Sequence, residues 1–126
     1  MISRFLKNFS GYCVPYSVRS VLGDDSRFDL NFLKGILGDY TSIIEVEKLN
    51  GLGLKTKILD AYLNDSQAKD YLKNNIPVIL FDDEHAFVGY WLKDNNIRIW
   101  DSNIGELEMS ADLLKNLEYF AVILPF

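Results

Sequence analysis

The chain has 126 residues, 48% of them apolar, and a formal net charge of −5. That length and balance fit one ordinary globular domain, able to bury a core without metal or disulfide staples. The acidic balance argues against general nucleic-acid affinity, which needs Lys and Arg to displace counterions from phosphates.

The first helical pattern is Val14, Val18, Val21 and Leu22, spaced to line one face and stopped at Gly23. Pro15 lacks an N–H and is tolerated only in a first turn, so this helix begins near Tyr12 or Cys13. Ser26 reads as the N-cap of a second helix through Leu30, Leu33 and Leu37, ended by Gly38. Thr41 or Ser42 opens a third, containing Ile43, Ile44, Val46 and Leu49 and closed near Gly51 or Gly53. Leu54 to Leu59 reads as a short strand, and Asp65 to Asn74 as a helix burying Ala68, Tyr71 and Leu72.

The second half changes character. Pro77 to Phe81 is a short apolar strand with its proline at the start, where a missing N–H is acceptable. Ala86 to Leu92 is apolar on both faces, which places it centrally in a sheet. Asp94-Asn95-Asn96 turns the chain into Ile97 to Trp100. Asn103-Ile104-Gly105 turns again, Leu107 extends the sheet, Ser110 caps a short helix, and Tyr119 to Leu124 is the last strand. Helices first and a mostly antiparallel sheet afterwards predict a single α+β domain over residues 1–126.

One cysteine leaves no internal disulfide and fits a reducing cytosol, and the N-terminus is too short and too charged to be a signal peptide. No apolar stretch approaches the length of a membrane span. One Cys and one His argue against a closed zinc site, and nothing in the pattern asks for a cofactor. Gly35 to Gly38 and Gly51 to Gly53 lack the Lys-Ser or Lys-Thr of a phosphate loop. The oligomeric state is not legible.

Cys13 at a helix start sits where partial positive charge favours thiolate. A thiol nucleophile also needs a base and a group that fixes the base. His85, the only histidine, opens a strand, and Asp82, Asp83 and Glu84 before it favour its protonated form. Asp101 alternates in phase with Ile97 and Ile99, so a buried face there would demand a partner, and His85 on the adjacent strand offers one. Each residue also has a plainer role: a small buried hydrophobe, a satisfied structural histidine, a turn-opening aspartate. Their order and setting together favour chemistry.

These segments resemble the papain-like peptidases that process double-glycine leaders, the bacteriocin-exporter peptidase family. The resemblance rests on Cys13 opening a helix, on Asn75-Ile76-Pro77-Val78-Ile79 leading to His85-Ala86-Phe87-Val88, and on Ile97-Arg98-Ile99-Trp100-Asp101-Ser102 with Gly105 and Leu107 to Ser110. It implies a papain-like fold, a bacterial peptide-processing thiol protease, a peptide or protein substrate, and Cys13, His85 and Asp101 as nucleophile, base and orienting acid. Three departures bear on activity. The family's Gln before the cysteine is absent, with Asn8 the nearest amide and Lys7 beside it; Tyr12-Cys13-Val14 replaces an acidic-Cys-Gly context; and Asp101-Ser102 replaces Asp-Pro. Papain-like deamidases, deubiquitinases and transglutaminase-like enzymes share the Cys-His-Asp order, and an inactive peptide-binding relative or a purely structural protein are further readings.

Overall fold

The computed structural model describes residues 13–22, 26–38, 43–82 and 85–125. The sheet has six strands: β1 (Leu54–Asp60), β2 (Val78–Asp82), β3 (His85–Lys93), β4 (Asn96–Asp101), β5 (Gly105–Ser110) and β6 (Tyr119–Pro125). Their order across the sheet is β1-β6-β2-β3-β4-β5, and each pairing is antiparallel. Helices α1 (Cys13–Val21), α2 (Leu30–Leu37) and α3 (Ala61–Lys73) complete the framework, with three short 3-10 segments between elements.

The alternation along β2 shows how the sheet carries a core on both sides. Ile79 and Phe81 join α1 and α2 in one apolar cluster, while Val78 and Leu80 join α3 in another. A strand buried on both faces reads as a continuous apolar run rather than an alternation, and β2 does so from Val78 to Phe81. The first cluster holds Val14, Val18, Leu33, Leu37, Ala86, Val88 and Trp100. The second holds Ala68, Leu72, Ile97, Ile99 and Phe120.

Local chemistry sets the boundaries. Asp29, rather than Ser26, caps α2: its side chain accepts from the Phe32 N–H at 2.8 Å, and Ser26 to Phe28 form a 3-10 turn before it. Two cap-like residues three apart compete, and the one next to the apolar repeat wins. The third helix is a 3-10 segment, Ile43–Leu52, in which Val46 and Leu49 are buried. Residues three apart eclipse in that geometry, so the two share one face. The expected opening of this helix at Thr41 or Ser42, like the stop at Gly23, lies outside the described residues.

Helix α3 begins four residues before the expected Asp65, because Asp60 caps a first turn through the Leu63 N–H. Asn64 then leaves helical geometry (φ −127°, ψ 21°) and its side chain donates to the Asp60 carbonyl at 2.8 Å. The straight part of α3 therefore does start at Asp65. Its far end closes with the Asn75 N–H on the Leu72 carbonyl and the Ile76 N–H on the Tyr71 carbonyl, Asn75 standing at φ 60°. That is the paired closure a left-handed residue permits. Asp94 and Asn95, at φ 52° and 64°, make the tight β3–β4 hairpin. Left-handed values at both central residues match the right-handed twist of the flanking strands.

Candidate active site

Three elements converge at one end of β3. Helix α1 starts at Cys13, β3 starts at His85 and β4 ends at Asp101. Pro15 accounts for the first of these, since a proline in the first turn fixes where the helix can begin. The antiparallel pairing of β2 with β3, which sets Asp82 opposite His85, fixes the second. The antiparallel β3–β4 ladder fixes the third: Val88 opposes Trp100, so Asp101 lies one step along, on the side of the sheet that His85 shares.

The ring Nε2 of His85 lies 2.6 Å from Asp101 Oδ2. The other carboxylate oxygen accepts from the backbone N–H groups of Asn103 at 2.9 Å and Ile104 at 3.3 Å. Asp101 is 4% exposed, so its charge is withdrawn from water and answered by three donors. Burial pushes its carboxyl up, but the His85 hydrogen bond and the two turn amides more than offset this and hold it below the usual range.

His85 responds in the opposite sense. Hydrogen bonding to Asp101 and then to Cys13 raises it to about 10, against a smaller lowering by burial. With Nε2 engaged by Asp101, Nδ1 is the ring nitrogen available to the thiol. Among the acidic residues before the histidine, Asp83 and Glu84 lie outside the described residues. The carboxylate that holds the proton is Asp101 rather than Asp82.

Cys13 is buried, and its Sγ accepts from the Ala86 N–H at 3.4 Å. Burial alone would raise the thiol. Hydrogen bonding with His85, the Ala86 amide, the charge on His85 and the Val14 amide at the helix start together bring it below its ordinary value. The arrangement can hold a thiolate beside an imidazolium, with a carboxylate fixing the ring.

Asn8 lies outside the described residues. Two buried polar groups lie on or beside the elements that carry the site. Arg19 on α1 is 1% exposed and donates from Nη1 to the Phe28 carbonyl at 2.9 Å. Its signal was present, since it falls on the same turn as Val18 yet carries charge. Ser102, beside Asp101, is buried with an Oγ that has no hydrogen-bond partner among the described residues. No group of three metal-binding side chains occurs among the described residues, and none of the described helices is long and apolar enough to cross a membrane.

This fold is that of the papain-like cysteine peptidases. A double-glycine-motif protease from an AMS/PCAT transporter, solved in complex with its leader peptide, superposes with a TM-score of 0.76 at 14% identity, over 100% of this chain and 93% of that one. The peptidase domain of ComA from Streptococcus, a bifunctional ABC transporter of a quorum-sensing pathway, gives a TM-score of 0.74 at 18% identity, over 98% and 99%. UfSP from C. elegans aligns at a TM-score of 0.53 and 12% identity, over 96% of this chain and 32% of that one. No family model matches the chain, and no curated protein matches it.

Proposed function

We propose that this protein is a cysteine peptidase that cleaves an amide bond in a peptide or protein segment, with Cys13 as nucleophile, His85 as proton carrier and Asp101 as the group that orients it. The observation that carries this reading is the contiguous chain from the Cys13 thiol to the His85 ring to the buried Asp101 carboxylate.

The Cys13 thiolate attacks the scissile carbonyl and forms a tetrahedral oxyanion. The imidazolium gives its proton to the leaving amine, leaving an acyl-thioester on Cys13. Neutral His85 then takes a proton from water as the hydroxide equivalent attacks the thioester, the Cys13–acyl bond breaks with Cys13 leaving as thiolate, and the acid product departs with the thiolate–imidazolium pair restored. The oxyanion donors in this reading are the Cys13 backbone N–H and, five residues before it in the sequence, the Asn8 amide, with Lys7 as the alternative source of positive charge. The likeness to a protease solved with its leader peptide supports a peptide substrate, and a leader segment with small residues before the cut is the substrate proposed.

Turnover needs Cys13 ionised and His85 protonated, so activity rises through the lowered thiol value and falls as His85 loses its proton near 10. Alkylation of Cys13 by iodoacetamide, followed from pH 4 to 9 in the parent and in His85→Ala, tests the pair. Reaction well below the free-thiol range of about 8.5, lost without His85, is expected. A profile that rises only near that value in both proteins would remove the ion pair, and hydrolysis with it.

A further inference from the structure

We infer that Phe87 is a positioning residue for His85: its ring braces the imidazole in the plane that serves Asp101 and favours the charged ring over the neutral one. The inference rests on the peptidase reading for its purpose, though not for its test.

The geometry begins with the strand period. His85 and Phe87 are two residues apart on β3, so their side chains rise from the same side of the sheet. Their ring centroids are 5.8 Å apart with planes inclined by 34°. This lies within the ~6 Å over which an aromatic face attracts a cation, and it is closer to stacking than to an edge contact. Phe87 is itself half-buried and seated against the second apolar cluster, which contains Leu80, Ile99 and Phe120. It therefore cannot swing away without vacating that packing. The imidazole is held by Asp101 at Nε2 and by the Phe87 ring, while Cys13 lies at its remaining side.

Such a brace answers a specific problem. The side chain of His85 is 34% exposed whereas that of Asp101 is 5% exposed, so water can reach the ring and compete for its hydrogen bond. An aromatic neighbour excludes part of that water and, unlike an aliphatic one, attracts the imidazolium through its negative π face. Among the described residues, the charged or titratable groups facing His85 are Asp101 from β4, Cys13 from α1, and Asp82, its partner in the β2–β3 pairing. None of them is altered by a change at Phe87, so an effect there isolates the ring.

His85 is the only histidine of the chain, so its Cε1 proton gives a single resonance in a proton NMR titration. Phe87→Leu keeps an apolar side chain in the cluster but removes the π face, and Phe87→Tyr keeps the face. Loss of a cation–π contact predicts that the imidazole titrates lower by about half a pH unit in Phe87→Leu and unchanged in Phe87→Tyr. The Cε1 resonance should also move in Phe87→Leu through loss of the ring current. Equal titration and equal shift in the parent and Phe87→Leu would overturn the inference, as would an equal fall in both variants, which reports packing rather than the ring. The same titration in Cys13→Ala judges the peptidase reading separately: if His85 is indifferent to the thiol, the ion pair fails while the Phe87 comparison still stands.

Discussion

Helices α1 and α3 lie on opposite sides of one sheet and are built on different principles. Of the nine residues of α1, seven are buried, and they include Cys13, Ser17, Arg19 and Ser20. Of the thirteen of α3, only Ala61, Ala68 and Leu72 are buried. A helix that faces its core with one apolar stripe is ordinary scaffold. A helix buried nearly all round with polar side chains must satisfy each of them, as Arg19 does at the Phe28 carbonyl and Ser20 at the Tyr16 carbonyl. Such satisfaction adds little net stability compared with apolar packing. What α1 gains is a fixed position for its first residue, and that residue is the thiol.

Breaking the comparison at its sharpest point means separating activity from stability. Asp101→Ala should lower kcat for peptide cleavage by about 10²- to 10⁴-fold, because the imidazole loses the group that fixes its tautomer and proton. The alkaline limb of the pH profile should fall from near 10 toward the ordinary histidine range. A variant that keeps both its rate and its alkaline limb would show that Asp101 merely opens a turn with Asn103 and Ile104. Kinetics against pH on a single peptide decide this.

The counterpart on the other face is Leu72→Ala. Leu72 is fully buried, and its Cδ2 would lie 3.6 Å from a Cβ at Gly89, on the strand that carries His85. Removing its methyl groups should cost about 2–5 kcal/mol of unfolding free energy, read from urea denaturation. The folded fraction should keep its kcat, because α3 supplies no group to the site. A loss of kcat at full folding would mean that α3 positions β3 and that the division between the two helices is false.

The same division explains what could be read from residues alone. Apolar runs and turn pairs marked the strands, because β2 is buried on both faces from Val78 to Phe81 and Asp94-Asn95 has one good hairpin geometry, whereas β5, mostly exposed or half-buried, showed only through Leu107. The encounter of Cys13, His85 and Asp101 was legible because each sits at an element boundary, and proline, hairpin and strand phase mark boundaries. Cap choice was less legible: Ser26 and Asp29 are equivalent as residue types, and only the packing of Leu33 and Leu37 decides between them. The 3-10 character of Ile43–Leu52 was also hidden, since apolar residues three apart suit both helix types. The role of Phe87 beside His85 needed coordinates, because a phenylalanine in a strand is normally core.

The smallest effect comes from Ser102, which stands where the resembling family carries proline. Ser102 is buried at 3% exposure and its Oγ has no partner among the described residues, although it adjoins Asp101, whose carboxylate meets three donors. A buried hydroxyl without a partner forfeits its hydration, at a cost of about 1–3 kcal/mol. Ser102→Ala should therefore raise stability by about 1 kcal/mol, seen as a higher denaturation midpoint at unchanged slope. If the hydroxyl has no task, kcat and KM stay as they are, and the site bears a small unrepaid defect. If kcat falls while stability rises, the hydroxyl finds its partner in the reacting substrate, and the cost carried by the free protein is recovered during catalysis. A fall in both would place Ser102 with the polar residues of α1, as a group whose burial holds the site in shape.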